Sequence, residues 1–182
     1  GTNNNRRLTL THNLETNEGT PANFMDDGAT FAFRLRLPES ATDLQNAPNG
    51  LNPHSGAKGI INFRGFKGRV GFAFGIAGTD SAYEESGMFI SDSSNTIFKS
   101  LDPTAWNEFW VTIRKSEENT ERYDLKIYMN EATVPNFSET ISLATSSDET
   151  YAYMSMQLSS TSDQGAVEID YIAYKNGLFL PN

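Results

Sequence analysis

Apolar and polar residues alternate with a period of two through most of this chain, the pattern of strands with one buried face. Thr30–Leu37 places Phe31, Phe33, Leu35 and Leu37 on one face and Thr30, Ala32, Arg34 and Arg36 on the other. Pro38 ends that run, because proline cannot donate to a sheet ladder. Val70–Ala77 alternates Val70, Phe72, Phe74 and Ile76 with Gly71, Ala73, Gly75 and Ala77. Its second face is almost bare, which lets another backbone or a flat ligand approach closely. Gly65 and Gly68 flank Phe66 and Lys67 and predict a hairpin leading from Ile60–Arg64 into this strand.

The most specific pairing lies downstream. Trp106–Arg114 carries Phe109, Val111 and Ile113 on one parity, and Tyr123–Asn130 carries Leu125, Ile127 and Met129. A turn centred on Asn119 pairs Phe109 with Met129, Val111 with Ile127 and Ile113 with Leu125, so every inward pair is apolar. The same register sets Trp110 opposite Tyr128, Thr112 opposite Lys126 and Arg114 opposite Asp124 on the outer face. A slip of one residue would turn Asp124 and Lys126 toward the core. Ala152–Leu158 alternates Met154, Met156 and Leu158 with Tyr153, Ser155 and Gln157. Val167–Tyr174 is apolar on both parities and predicts a central strand covered on both faces.

Asn3–Asn5 and Asn46–Gly59 read as a frayed start and a long loop. Helical signal is weak: Ser81–Ser86 and Pro103–Trp106 each predict at most one turn, and no long stretch carries a 3.6-residue apolar stripe. Many short strands separated by turn residues predict an all-β, two-sheet antiparallel jelly-roll sandwich, with residues 1–182 as one domain.

Composition narrows the function classes. A chain of 182 residues buries a core without staples, and the absence of cysteine excludes disulfides, zinc–thiolate sites and thiol nucleophiles together. A net charge of −9 argues against a nucleic-acid or anionic-membrane partner, since phosphate binding needs a basic footprint. No apolar run approaches the ~18 residues of a membrane-spanning helix, so no membrane insertion is expected. Asn, Ser and Thr occur 17 times each, and this Lys-poor, short-polar composition fits a secreted, periplasmic or cell-surface protein. No leader pattern stands at Gly1, which is not a natural start; a trimmed start with a leftover glycine is one reading and a removed secretion signal the other.

The stretch TAWNEFWVTIRKSEENTERYDLKIYMNEATV and the closing GAVEIDYIAYKNG resemble the concanavalin A-like lectin/glucanase superfamily, near its laminin G-like and bacterial carbohydrate-binding branches. Trp106 opens a strand ending in Val111–Ile113, Leu125–Tyr128 forms its hairpin partner, and Ile169–Ile172 closes the domain. The resemblance covers about Thr104–Gly177 and implies a concanavalin A-like sandwich. The hairpin of that group ends in a glycine turn; here Glu131 follows Asn130.

The resemblance also supplies enzymes against which to test the chain. Laminarinase-type hydrolases of this fold use Glu-x-Asp followed closely by a second Glu, with two carboxylates about 5–5.5 Å apart. Glu168-Ile169-Asp170 matches the first half, but Tyr171, Ile172 and Ala173 follow, so both acids read as structural. Alginate lyase-like sandwiches end in Tyr-x-Lys-Ala-Gly-x-Tyr. Tyr174, Lys175 and Gly177 echo this, while Phe179 replaces the second tyrosine and no Gln-x-His stands mid-chain. His12 and His54 both lie in loop-like sequence. No complete catalytic constellation is present.

Binding candidates remain. Trp110 and Tyr128 form an outer-face aromatic platform beside Thr112 and Lys126, suited to the apolar C–H face and hydroxyl rim of a sugar. Tyr153 and Gln157 extend it if their strand is a neighbour. Arg34 and Arg36, two apart, suit a bidentate clamp on a uronate or sulfate, or ion pairs with the abundant acids. Asp80 with Glu84 and Glu85, Asp92 with Asn95, and Asp163 with Gln164 are oxygen-rich turns that suit a structural calcium. A non-catalytic polysaccharide-binding domain with a glycan partner is the leading expectation; a polysaccharide hydrolase or lyase, or a laminin G-like adhesion domain, are the alternatives.

Overall fold

The computed structural model describes residues 9–14, 24–37, 57–65, 68–75, 87–91, 96–143, 153–158 and 167–181. In chain order its strands are β1 (Thr9–Asn13), β2 (Ala29–Arg36), β3 (Ala57–Gly65), β4 (Gly68–Gly75), β5 (Gly87–Ser91), β6 (Thr96–Ser100), β7 (Asn107–Lys115), β8 (Tyr123–Met129), β9 (Phe137–Ile141), β10 (Tyr153–Leu158) and β11 (Glu168–Asn176). One helical turn, α1 (Phe24–Asp27), precedes β2. They form a six-stranded sheet, β1-β10-β3-β4-β5-β6, and a five-stranded sheet, β11-β2-β7-β8-β9, antiparallel throughout. This is a β-sandwich, and among the described residues neither sheet closes into a barrel.

Phenylalanine fills the space between the sheets. Phe31, Phe33 and Phe109 of the five-stranded sheet and Phe63, Phe72 and Phe74 of the six-stranded one are fully buried. Phe31 stacks on Phe63 at 3.6 Å, and Phe33 lies within 5.0–6.4 Å of Phe63, Phe72, Phe74 and Phe109. Phe31 and Phe33 are the alternate residues whose spacing predicted an inward face, so period-two patterning is what brings the rings together.

The β7–β8 hairpin has the expected register at all six pairs, from Phe109 opposite Met129 to Arg114 opposite Asp124. Asn119 anchors its turn: its carbonyl accepts from the Arg122 N–H, and its side-chain oxygen accepts from the Glu121 N–H. The β3–β4 hairpin also forms, with Gly65 opposite Gly68. Glycine is absent from the β8 turn because Asn130 (φ 51°) and Glu131 (φ 65°) themselves take the left-handed conformation. The Ala132 N–H donates to the Met129 carbonyl across them, giving the type I′ geometry that suits strand twist.

Several expectations change. Strand β11 is an edge strand of its sheet rather than a central one, and Tyr171 is 37% exposed. Its pairing with β2 shifts at Asp170, so Ile169 stands opposite Leu35 and Tyr171 opposite Arg34. That bulge switches parity: Ile169, Ile172 and Tyr174 all pack on the core, while Tyr171 faces out. Apolar residues on both parities therefore mark an irregularity, not two covered faces. Pro103–Trp106 forms a non-helical turn, in which Asp102 accepts from the Thr104 N–H and hydroxyl. Ala57–Gly59, read as loop, belong to β3, and His12 lies in edge strand β1. Strands β1, β5, β6 and β9 and the turn α1 were not anticipated, each being too short for a long alternation. Ser81–Ser86, His54 and the calcium candidates Asp80, Glu84, Glu85, Asp92, Asn95, Asp163 and Gln164 lie outside the described residues.

Candidate functional site

Each sheet has an inner face on the core and an alternate set of positions on its other face. On the five-stranded sheet, register aligns Ala173, Ala32, Trp110 and Tyr128 in one row and Lys175, Thr30, Thr112 and Lys126 in the next. The expected aromatic pair is thus present, but the C-terminal segment 177–181 is tied down beside it. The Thr30 hydroxyl donates to the Gly177 carbonyl (2.8 Å) and accepts from the Phe179 N–H (2.9 Å). The Trp110 indole N–H donates to the Phe179 carbonyl (2.7 Å), and the Lys175 ammonium sits 3.8 Å from the Phe179 ring centroid. Trp110 is half-buried, Tyr128 and Thr112 are buried, and Lys126 is exposed. Between Trp110 and Phe179, over Ala32 and Ala173, a pocket of about 280 Å³ stays open.

Arg34 and Arg36 are engaged on this face. Arg34 Nη1 lies 2.8 Å from Asp170 Oδ2, and Arg36 Nε lies 2.5 Å from Glu168 Oε2. Both guanidinium groups also lie over the Trp106 ring, at 5.1 and 4.9 Å from its centroid. The Glu-x-Asp of the closing strand thus neutralises the two arginines. Acting as an anion clamp, they would first have to give up these partners. Nearby, burial and a hydrogen bond to Glu108 push the Tyr171 phenol up to about 12. A phenol held in this way is a proton donor, not a base, at neutral pH.

Tyr153 and Gln157 do not extend the Trp110 platform. Strand β10 pairs with β1 and β3, which places both residues in the other sheet. There register builds a different surface. With Ile61, Phe63, Val70, Phe72, Phe74, Met88 and Ile90 buried in the core, the alternate positions fall on the outer face. One row aligns Asn13, Tyr153, Arg64 and Arg69. The next aligns Thr11, Ser155, Asn62, Gly71, Ser91 and Thr96. A third aligns Thr9, Gln157, Ile60, Ala73, Phe89 and Phe98. Five gaps between six strands make a row about 24 Å long, the reach of an oligosaccharide. The bare face of β4 lies under its middle, at Gly71 and Ala73. Sequence reasoning noted that bare face but missed the row, because only the pairing of β10 with β3 brings Tyr153 to Arg64.

Among the described residues no three His, Asp or Glu side chains cluster in a way that would hold a metal ion, and no helix is long and apolar enough to cross a membrane.

No family model matches this sequence, and no curated protein sequence is significantly similar to it. Solved structures do superimpose on it. The catalytic domain of a glycoside hydrolase family 131 protein from Coprinopsis cinerea aligns with a TM-score of 0.47 and 11% identity, over 87% of this chain and 60% of that one. An alginate lyase from a Chlorella virus gives 0.40 and 12%, over 84% and 72%. Alginate lyase Aly36B, a double mutant in complex with an alginate trisaccharide, gives 0.35 and 10%, over 83% and 69%. These neighbours are carbohydrate-active enzymes with β-sandwich folds. The chain spans about three fifths of the hydrolase domain.

Proposed function

We propose that this chain is a polysaccharide-recognising domain of the concanavalin A-like kind, and that it binds glycan across the outer face of the six-stranded sheet. The observation that carries the reading is the register row Thr11, Ser155, Asn62, Gly71, Ser91 and Thr96. Hydroxyl and amide residue types occupy successive register positions of this row with Gly71 among them, the Tyr153, Arg64 and Arg69 positions form the row before it and the Phe89 and Phe98 positions the row after it. Sugar chains offer the complement: hydroxyls for the polar row and C–H faces for aromatic residues.

The test is a panel of soluble polysaccharides assayed for binding and for release of reducing or unsaturated ends. Binding without release supports recognition alone. Silence across the panel contradicts the reading and favours an adhesion role. A second reading, cleavage of the bound glycan, is favoured by Tyr153 standing opposite Arg64, and Arg64 opposite Arg69. A phenol and adjacent cations are groups able to move a proton and neutralise an anion. Release of new chain ends that is lost in Tyr153→Phe supports it.

A further inference from the structure

We propose that the pocket between Trp110 and Phe179 is a binding site of its own, separate from the glycan face, and that it takes a small aromatic carboxylate of the size of cinnamate. The pocket exists because of side-chain size. Register sets Ala173 and Ala32 in one row with Trp110, so two methyl groups stand where larger side chains would fill the space beside the indole. The opposite wall is held in place before any ligand arrives. The segment bearing Phe179 is fixed by both hydrogen bonds of the Thr30 hydroxyl and by the Trp110 indole N–H. Leu178 on the same segment seats on Gly28 so closely that a Cβ there would lie 3.1 Å from Leu178 Cγ. The open volume is about 280 Å³. An apolar cavity of about 150 Å³ is enough to hold benzene, so a ring with a short substituent fits here.

The chemistry of the lining selects the ligand. A sugar ring needs partners for its hydroxyls, and the polar side chains here are already spent on the protein. The Trp110 indole N–H donates to the Phe179 carbonyl, the Thr30 hydroxyl serves Gly177 and Phe179, and the Tyr174 phenol donates to Asn176. What is left is apolar, with an indole and a phenyl ring as walls, and that suits a flat aromatic ring. Among the described residues Lys175 is the one charged group of the lining, and its ammonium lies 3.8 Å from the Phe179 ring centroid. The charged neighbours in the adjoining register row are matched already, Arg34 by Asp170 and Glu108 by the Tyr171 phenol. Lys175 therefore sets the sign of the ligand, and a carboxylate is favoured over an amine.

Isothermal titration calorimetry of the chain with cinnamate tests the proposal, with cinnamyl alcohol as the ring without the charge and cyclohexylpropanoate as the charge without the flat ring. The expected result is saturable binding of cinnamate at one site, about threefold tighter than cinnamyl alcohol and about tenfold tighter than cyclohexylpropanoate. Ala173→Leu fills the pocket and Phe179→Ala removes a wall, and each should weaken cinnamate about tenfold or more. Lys175→Gln should bring cinnamate to the level of the alcohol and leave the alcohol unchanged. Urea midpoints show that a loss is not unfolding. Phe179 is exposed and its hydrogen bonds are made by its backbone, so Phe179→Ala decides the matter if Ala173→Leu unfolds. Absence of saturable cinnamate binding overturns the proposal. So does either control binding as tightly as cinnamate, or cinnamate affinity indifferent to Phe179→Ala. Displacement of cinnamate by an oligosaccharide that the protein retains also overturns it, by making this pocket part of a glycan site. Binding of cinnamate with silence across the polysaccharide panel leaves it standing and removes the glycan reading alone.

Discussion

Thr30 latches the C-terminal segment to the five-stranded sheet, and Thr30→Val should loosen it. The side chain is buried, and its single hydroxyl both donates to the Gly177 carbonyl at 2.8 Å and accepts from the Phe179 N–H at 2.9 Å. Valine keeps the shape and removes both bonds. At about 0.5–1.5 kcal/mol each, the loss is about 1–3 kcal/mol. Two other anchors remain: the Gly177 N–H donating to the Gly28 carbonyl holds the start of the tail, and the Trp110 indole N–H donating to the Phe179 carbonyl keeps that residue near the sheet while its own N–H loses its acceptor. Urea unfolding should show the lower midpoint, and amide hydrogen exchange should show faster exchange at Phe179. The hydroxyl-retaining Thr30→Ser should keep that protection. An unchanged midpoint in Thr30→Val, together with unchanged exchange at Phe179, would refute the reasoning.

Other predictions follow from the core, the turn and the tyrosines. Phe33→Ala should cost about 3–5 kcal/mol in urea unfolding, because Phe33 packs on rings from both sheets and no neighbour fills its space. Glu131→Gly should raise the unfolding free energy by up to about 1 kcal/mol, read from a higher urea midpoint, since Glu131 sits at φ 65° where an L side chain is disfavoured. Burial and the hydrogen bond to Asp26 raise the Tyr123 phenol, and burial and Glu108 push Tyr171 up to about 12. The unfolded chain then loses these protons first. Their contribution to stability is complete below about pH 10 and declines as pH rises through the folded values. Unfolding midpoints should hold up to about pH 10 and fall as pH rises from about 10 to about 12, less steeply in Tyr123→Phe; a flat profile contradicts this.

What was legible in the sequence was whatever depends on local alternation. The β7–β8 register followed from keeping Val111 with Ile127 and Ile113 with Leu125, and the structure pairs them so. The closing strand misled because a bulge at Asp170 mimics two-sided burial, and nothing local in Ile169–Ile172 distinguishes the two. The candidate site was half legible. Trp110 and Tyr128 are neighbours as expected, but no local signal ties Phe179 to Thr30, 149 residues away. Tyr153 belongs beside Trp110 only if β10 joins that sheet, and it does not, since the pairing of β10 with β3 is a long-range choice. Residues 57–75 contain Lys58, Arg64, Lys67 and Arg69 and no acid, a run that alternation alone does not place in a sheet. Only sheet order shows that β1, β5, β6 and β10 add no acid beside them.

The central claim is that glycan is received on the six-stranded face, and backbone amide chemical-shift mapping tests it most directly. Titration of the labelled protein with a retained oligosaccharide should shift amides of β3, β4 and β10, around Asn62, Arg64, Arg69 and Tyr153, and leave those of β2, β7 and β11 in place. Shifts centred instead on Ala32, Trp110, Ala173 and Phe179, with β3 and β4 silent, would contradict the account and move the site to the pocket on the other sheet.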